Sequence, residues 1–211
     1  MSSVKRGTFI VFEGRDKVGK TTQLNELVAR LKKESEHVML IRFPERSTRI
    51  GKVIDSYLAG GDELNGQAIH LLFSANRWEL KAKIISAINS GVSVCTDRYV
   101  YSGVAYSAAK RGLDIDWCKQ ADRGLPCPDV VCFLETQDET PISRAQYGKE
   151  RYENPEFQRR VKSNFELLQE ATWVKINGDQ TRTEVHEAIY DVVRVAINMD
   201  KRPLGQLWMN N

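Results

Sequence analysis

The segment from Gly14 to Thr21 combines residue types and a spacing that suit phosphate binding, since it reads G-x-x-x-x-G-K-T. The two glycines let the backbone approach an anion, and successive N–H groups at the start of a helix attract it. Lys20 can then reach the β and γ phosphates of a nucleoside triphosphate, and the Thr21 hydroxyl can ligate Mg²⁺. The alternative is a glycine turn that binds no ligand.

The residues around this loop favour the phosphate interpretation. The apolar run Thr8 to Phe12 precedes it, and Gln23 to Lys33 follows with leucines and a valine at helical spacing. The order is therefore a strand, a glycine-rich loop and a helix, which is the context that a phosphate-binding loop requires.

Asp97 is a second candidate, because it follows the buried-strand pattern Val92 to Thr96 directly. Ligands of parallel sheets gather at the carboxyl ends of the strands, so a carboxylate there can serve a phosphate-bound Mg²⁺. An aspartate in this position can instead cap the helix that follows. Proximity to the phosphate loop favours the metal interpretation.

Three arginines and two aromatic residues indicate a second site. Arg46 follows one predicted strand, Arg98 follows another, and Phe73 and Arg77 lie four residues apart on one predicted helix. Guanidinium groups suit a second phosphate and an aromatic ring such as Phe43 or Phe73 can stack on a base, so an acceptor nucleotide is expected opposite the triphosphate. The alternative for each arginine is a surface ion pair.

A polar segment with a glycine, from Arg144 to Glu153, precedes a predicted helix that begins at Asn154-Pro155. Its composition is that of a solvated loop, but its order in the chain favours a lid over approximately 141–153. A lid excludes water from a transferring phosphoryl group.

Composition sets limits on the protein class. The 211 residues suit one domain, 1–211, and the formal charge of +3 gives no argument for a nucleic-acid partner. No apolar run approaches the length of a membrane span, and Met1 to Gly7 lacks an apolar secretory region, so we expect no membrane association and a cytosolic or nuclear location. The four cysteines form no C-x-x-C pair, which fits a reducing compartment.

Apolar β-rich runs alternate with helical patterns along the chain. The predicted strands are Thr8–Phe12, Val38–Arg42, Val92–Thr96, Val130–Leu134 and Val174–Ile176. The predicted helices are Gln23–Lys33, Ile50–Leu58, Gln67–Asn89, Ser102–Lys110, Pro155–Gln169 and Arg182–Met199, the last with a T-x-x-E capping box. This alternation predicts an α/β fold with a five-stranded parallel sheet and helices on both faces.

Several motifs together resemble the thymidylate kinase family, in its eukaryotic and poxviral branch. The similarity spans nearly the whole chain. The segments that carry it are F-E-G-x-D-x-x-G-K-T-T-Q (12–23), F-P-E-R-S (43–47), L-L-F-S-A-N-R-W (71–78), D-R-Y-x-x-S-G-V-A-Y (97–106), G-L-P-x-P-D (124–129), E-R-Y-E (150–153) and P-L-G-Q-L-W (203–208).

The resemblance implies a P-loop nucleotide kinase that converts dTMP to dTDP with ATP and Mg²⁺. It implies a catalytic set of Asp16, Lys17, Lys20 and Arg98, and Mg²⁺-side groups Thr21 and Asp97. The implied ATP-binding residues are Gly14, Lys17, Val18, Gly19, Lys20, Thr21, Thr22 and Arg144. The implied dTMP-binding residues are Asp16, Phe43, Arg46, Phe73, Arg77, Arg98, Ser102, Tyr106 and Tyr152.

Individual roles follow from the same resemblance. Asp16 matches the carboxylate at the acceptor sugar's 3′-hydroxyl, Arg77 the group that reads the thymine carbonyl, and Tyr152 a residue that disfavours a ribose hydroxyl. Lys17 stands where eukaryotic relatives often carry arginine, and Arg15 replaces a residue that is commonly apolar. Relatives pair through helices on one sheet face, so a homodimer is expected.

Three other functions compete with this hypothesis. A kinase for UMP, CMP or AMP would share the phosphate loop and the lid, although Arg77 and Tyr152 favour a thymine deoxynucleotide. A GTPase-like switch would resemble its class in N-K-x-D and D-x-x-G elements, but the chain has no N-K-x-D run, and Asp97 is followed by Arg98 and Tyr99. A scaffold without activity would not need every catalytic position filled.

Overall fold

The computed structural model of the chain describes residues 5–61, 63–137, 152 and 154–209, and within these ranges it contains five strands and seven helices. Numbered in chain order, the strands are β1 (Phe9–Glu13), β2 (Val38–Arg42), β3 (Ser93–Asp97), β4 (Val130–Glu135) and β5 (Trp173–Asn177). The helices are α1 (Lys20–Lys33), α2 (Arg49–Leu58), α3 (Gly66–Asn89), α4 (Val100–Ala108), α5 (Ile115–Gln120), α6 (Pro155–Leu167) and α7 (Arg182–Asn198).

The strands form one sheet in the order β2-β3-β1-β4-β5, and every neighbouring pair is parallel. β1 lies at the centre, where Phe12 is paired with Asp97 of β3 and with Cys132 of β4. This arrangement confirms the predicted five-stranded parallel sheet. It also brings the carboxyl ends of β1 and β3 side by side, at the edge where the phosphate loop begins.

Side chains of β1 alternate between two apolar cores, as the period of a strand requires. Phe9 and Val11 pack with residues of α3, α4 and α6, whereas Ile10 and Phe12 pack with residues of α1 and α7. All five residues of β1 are buried. Helices therefore cover both faces of the sheet, as predicted.

Helix starts follow from local capping chemistry. The Asn154 side chain accepts a hydrogen bond from the Phe157 N–H at the start of α6, and Thr181 and Glu184 form the predicted capping box of α7. The helix α5 is an element that the sequence analysis missed, since it has only six residues. Its N-cap, Asp114, accepts hydrogen bonds from the N–H groups of Asp116 and Trp117.

Across the described ranges, none of the helices combines the length and the apolar character needed to cross a bilayer.

Candidate active site

The loop between β1 and α1 has the backbone of a phosphate cradle. Gly14, Lys17 and Gly19 all have positive φ angles, of 139°, 63° and 94°. A Cβ atom on Gly14 would lie 2.4 Å from the Leu134 carbonyl oxygen, so glycine is needed where the loop passes β4. Val18 is buried and contributes to the core beneath the loop, whereas Thr22 is exposed on the first turn of α1.

Lys20 begins α1 and is 5% exposed. Its Nζ donates a hydrogen bond of 2.5 Å to the carbonyl oxygen of Arg15, across the loop. Burial, together with the positive charge of Arg98, lowers the pKa of Lys20 to about 8. The lysine is thus held inside the cradle, where an anionic ligand would restore a strong preference for its charged form.

Asp97 ends β3, and its Oδ2 accepts a hydrogen bond of 2.5 Å from the Thr21 hydroxyl. The carboxylate makes no capping bond to α4, which contradicts the capping alternative. A hydroxyl and one carboxylate fit Mg²⁺, which uses few protein oxygens and completes its shell with water and phosphate. The described residues include no cluster of three or more His, Cys, Asp or Glu side chains that would hold a metal alone.

The start of α4 is capped by Glu13, the last residue of β1. Its Oε1 accepts hydrogen bonds of 2.9 Å from the Tyr99 N–H and 3.0 Å from the Ser102 N–H, and its Oε2 accepts one of 2.5 Å from the Ser102 hydroxyl. Glu13 is fully buried, and burial raises its pKa despite these bonds. One carboxylate therefore joins the phosphate-loop strand to the helix that follows Asp97.

Asp16 and Arg98 form an ion pair at the centre of the site. Asp16 Oδ2 also accepts hydrogen bonds of 2.8 Å from the Tyr106 hydroxyl and 2.9 Å from Gln158 Nε2. Burial opposes ionisation of Asp16, but the charges of Arg98 and Lys20 outweigh it, so the pKa of this carboxyl is lowered. The carboxylate is consequently charged and oriented by groups from three different elements.

Arg98 has a positive φ of 65°, an uncommon backbone for a residue other than glycine. Its Nη1 donates to the Ser102 hydroxyl at 2.8 Å and to the Gly14 carbonyl oxygen at 3.2 Å. Burial opposes the charge of Arg98, but the nearby carboxylates, Asp16 above all, outweigh it and raise the pKa of Arg98. The guanidinium therefore stays charged between the phosphate loop and α4.

A cavity opens beside this ion pair and contains every predicted dTMP-binding residue. Its described lining consists of Asp16, Phe43, Pro44, Arg46, Leu58, Phe73, Arg77, Arg98, Tyr99, Ser102, Gly103, Tyr106, Ser107 and Tyr152. The structure thus brings together nine residues that the sequence analysis took from five separated segments. Phe43 is buried, Phe73 is half-buried, and the Phe43–Pro44 peptide bond is cis.

Two further arginines of the cavity, besides Arg98, pair with aspartates. Arg77 Nε donates to Asp122 Oδ1 at 3.0 Å and its Nη2 donates to Asp122 Oδ2 at 2.6 Å, with both side chains buried. Arg46 Nη1 donates to Asp55 Oδ1 at 2.5 Å, with both side chains about half exposed. The cavity therefore has one buried cation and one accessible cation besides Arg98.

Tyr152 closes one side of the cavity. Its ring stacks on Phe157 with centroids 5.1 Å apart, and its hydroxyl donates to the Tyr57 hydroxyl at 3.2 Å.

Arg15 is buried and donates to the Thr136 carbonyl oxygen at 3.4 Å, at the end of β4. Arg144 and the rest of the predicted lid up to residue 151 lie outside the described residues, as does residue 153.

Sequence reasoning missed three polar residues that orient the predicted ones: Glu13, Asp122 and Gln158. Glu13 carried a signal, because it is a carboxylate at the end of an apolar strand pattern and beside the glycine-containing loop. Asp122 carried none, since its neighbours Lys119, Gln120 and Arg123 are also polar. Gln158 carried none, since a glutamine on a predicted helix is usually a solvated surface residue. Each acts on a partner at least 45 residues away along the chain.

Fold and site together define a class, the P-loop nucleoside monophosphate kinases. Comparison with known proteins refines this assignment. The family model described as "Thymidylate kinase" matches residues 12–189. The chain belongs to the thymidylate kinase family.

Individual relatives agree over nearly the full length. A thymidylate kinase of Schizosaccharomyces pombe is 47% identical over 199 residues, covering 92% of this chain and 94% of the relative. The thymidylate kinase of Homo sapiens is 43% identical over 213 residues, covering 98% of this chain and 99% of the relative. The solved thymidylate kinase of Candida albicans superimposes with a TM-score of 0.85 at 35% identity, covering 95% of this chain and 98% of that one.

Proposed function

We propose that this protein transfers the γ-phosphoryl group of Mg·ATP to the phosphate of dTMP, giving dTDP and ADP. The observation that carries the proposal is the position of the cavity. It abuts the phosphate loop through the Asp16–Arg98 ion pair, so an acceptor held there faces the triphosphate directly.

The acceptor site is proposed to hold dTMP along its length. Arg46 and Arg98 offer cations for the monophosphate, and Phe73 offers a ring for stacking on the base. Arg77 donates hydrogen bonds and accepts none, so it suits the C4 carbonyl of thymine and not the amino group of cytosine. Asp16 suits the 3′-hydroxyl, and Tyr152, which lines the same cavity, is proposed to disfavour a ribose 2′-hydroxyl.

The donor site is proposed to be the loop from Gly14 to Thr22, with Lys20 at the β and γ phosphates. Thr21 and Asp97 would hold Mg²⁺, which when bound neutralises charge that develops on the phosphate oxygens. Lys17, which has a left-handed backbone in the loop, would supply a further cation to the transferring group.

The reaction requires no general base, because the attacking phosphate oxygen is already anionic. That oxygen bonds to the γ phosphorus as the bond to the β–γ bridging oxygen breaks, and ADP leaves. Lys20 and Arg98 stabilise the transferring group, and the rigid cavity aligns the acceptor. A GTPase-like switch would need no second nucleotide cavity, so the geometry favours the kinase.

A coupled ADP-release assay with Mg·ATP tests the proposal against dTMP, dUMP, UMP, CMP, AMP and GMP, with a control lacking acceptor. We expect turnover with dTMP to exceed turnover with every ribonucleotide. A preference for a ribonucleotide would refute the proposed base and sugar recognition. Hydrolysis that is independent of an acceptor would favour the switch.

Variants of Lys20 and Arg98 test the proposed chemistry. Lys20→Ala and Arg98→Ala should each lower kcat/KM for dTMP, because each removes a charged contact to the transition state. The loss should correspond to a rise of about 2–4 kcal/mol in activation free energy. Lys52→Ala, an exposed lysine on α2, is the matched control and should retain normal turnover. Normal kcat/KM in either of the first two variants would contradict the mechanism.

The expected homodimer is also part of the proposal. Leu71 and Trp78 of α3 are large apolar side chains that are 49% and 37% exposed, which supports pairing through this helix. Sedimentation equilibrium at micromolar concentration should give twice the chain mass, and Leu71→Glu should shift the protein towards monomer. A wild-type monomer under these conditions would contradict the expectation.

A further inference from the structure

The Arg77–Asp122 pair is unusual because it is buried within the wall of the cavity. Arg77 is 2% exposed and Asp122 is fully buried. Asp122 occupies Nε and Nη2 of the guanidinium in a bidentate arrangement, which fixes the plane of that group as well as its position. In the described part of the chain, Nη1 makes no hydrogen bond, so it is the terminal nitrogen left for a ligand.

Gly103 of α4 also restricts this guanidinium. A Cβ atom on Gly103 would lie 2.6 Å from both Nη1 and Nη2 of Arg77 and 2.8 Å from Cζ. The guanidinium therefore lies against the bare backbone of α4. Gly103 and Arg77 both line the cavity, so this contact sets how far the arginine extends along its wall.

The segment that carries Asp122 is itself held firmly. The Ala121 carbonyl oxygen accepts hydrogen bonds of 2.8 Å from the Ser74 hydroxyl and from Trp78 Nε1, both on α3 beside Arg77. Further on, the Gly124 N–H donates to the Leu207 carbonyl oxygen at 2.9 Å. Asp122 is consequently a fixed point, and Arg77 is the member of the pair whose long side chain would otherwise adopt several rotamers.

We propose that Asp122 is a positioning residue for base selection: it orients Arg77, against Gly103, so that Nη1 faces the C4 substituent of the acceptor base. This inference rests on the proposed function, because it assumes that a pyrimidine lies in the cavity. A donor held in this way favours a C4 carbonyl, and it leaves a C4 amino group facing a cation that cannot accept its hydrogen. Nothing in the resemblance to the family assigned a role to Asp122.

A purely structural role for Asp122 is the competing explanation, since a buried arginine needs a counter-charge in any case. The two explanations differ in what they predict for ligands. A structural role would lower stability and affect all nucleotides equally. A positioning role would change the ratio between bases with a C4 carbonyl and bases with a C4 amino group.

The test measures dissociation constants of dTMP, dUMP and dCMP by calorimetry, and kcat and KM for dTMP, in the full-length wild type and Asp122→Asn. We expect the preference for dTMP over dCMP to fall on the order of tenfold or more, the size of one charge-assisted hydrogen bond. The dTMP-to-dUMP ratio should stay constant because both bases carry the same carbonyl. The KM for dTMP should rise while kcat is retained.

Two further variants keep the test decisive if Asp122→Asn does not fold. Gly103→Ala disturbs the guanidinium without removing a charge and should also lower the dTMP-to-dCMP preference. In an Arg77→Met background, adding Asp122→Asn should leave the preference unchanged, because Asp122 acts only through the arginine. A further loss in that background would overturn the proposal.

Asp129 provides the matched control for removing a paired aspartate. It pairs with Arg6 through two hydrogen bonds of 2.7 and 2.8 Å, in a bidentate geometry like that of Asp122, and neither residue lines the cavity. Asp129→Asn should leave base preference at the wild-type value. Wild-type preference in folded Asp122→Asn would refute the positioning role, whereas failure of the wild type to prefer dTMP would refute the proposed function itself.

Discussion

Two of the arginine–aspartate pairs of the cavity, Arg77–Asp122 and Arg46–Asp55, consist of the same chemical groups in opposite environments. Arg77 and Asp122 have side chains that are 3% and 0% exposed, whereas those of Arg46 and Asp55 are 48% and 49% exposed. A buried pair loses a great deal when one partner is removed, but an exposed pair is held by little more than solvent-screened attraction. Burial therefore distinguishes a fixed component of the site from a contact that a ligand can replace.

The elements explain why the two pairs differ. Arg77 lies in the middle of α3, where α4 and the segment after α5 cover it. Arg46 lies in the turn after β2, a strand at the edge of the sheet, and Asp55 is on α2, the helix that follows. A phosphate can reach Arg46 from solvent. A base can reach only the part of Arg77 that its neighbours leave uncovered.

The largest effect expected is on stability. Asp122→Ala should lower the free energy of unfolding by about 3–5 kcal/mol, because it leaves the Arg77 guanidinium buried without a counter-charge. Asp55→Ala, its exposed counterpart, should change the same quantity by less than about 1 kcal/mol. Urea denaturation followed by circular dichroism measures both. Equal losses of unfolding free energy in the two variants would show that burial does not distinguish the two ion pairs.

The next effect concerns the accessible cation. Arg46→Ala should raise the KM for dTMP roughly 10- to 100-fold, the size of a charge-assisted hydrogen bond to phosphate, and leave the unfolding free energy almost unchanged. Arg49→Ala, an exposed arginine three residues further on, is the matched control. An unchanged KM in Arg46→Ala would exclude this residue from the phosphate site.

The smallest effect sharpens the comparison most. Asp55 competes with an incoming phosphate for Arg46, so Asp55→Asn should lower the KM for dTMP by up to about fivefold, as an exposed ion pair allows. Asp191→Asn removes the same charge from α7 and serves as the control. The difference between wild type and Asp55→Asn should shrink in high salt. A raised KM would show that Asp55 orients Arg46 instead of competing for it.

Much of the fold was predictable, because local chemistry determines it. All five strands and six of the seven described helices follow from apolar periodicity, and the capping box at Thr181 follows from two residue types three positions apart. The missed helix α5 is too short for its periodicity to be read. The order of the strands was not predicted, since it depends on which strands pair across long stretches of chain.

The site was predictable as far as motifs extend and no further. Asp16, Arg98 and Tyr106 belong to recognisable segments, and the structure places them in one cluster. Asp122 and Gln158 join that cluster or its wall through contacts that span 45 and 142 residues of chain. No local pattern distinguishes such a residue from an ordinary polar side chain, because its role exists only once the helices are packed.

Glu13 connects the proposed donor site to the proposed acceptor site. This carboxylate ends the strand that leads into the proposed donor loop and also holds the first turn of α4, which carries residues of the proposed acceptor cavity. We therefore expect a displacement of β1 to move the proposed donor loop and the start of α4 together, because one carboxylate holds both. The distance between the two proposed sites is then expected to vary less than the position of either site alone.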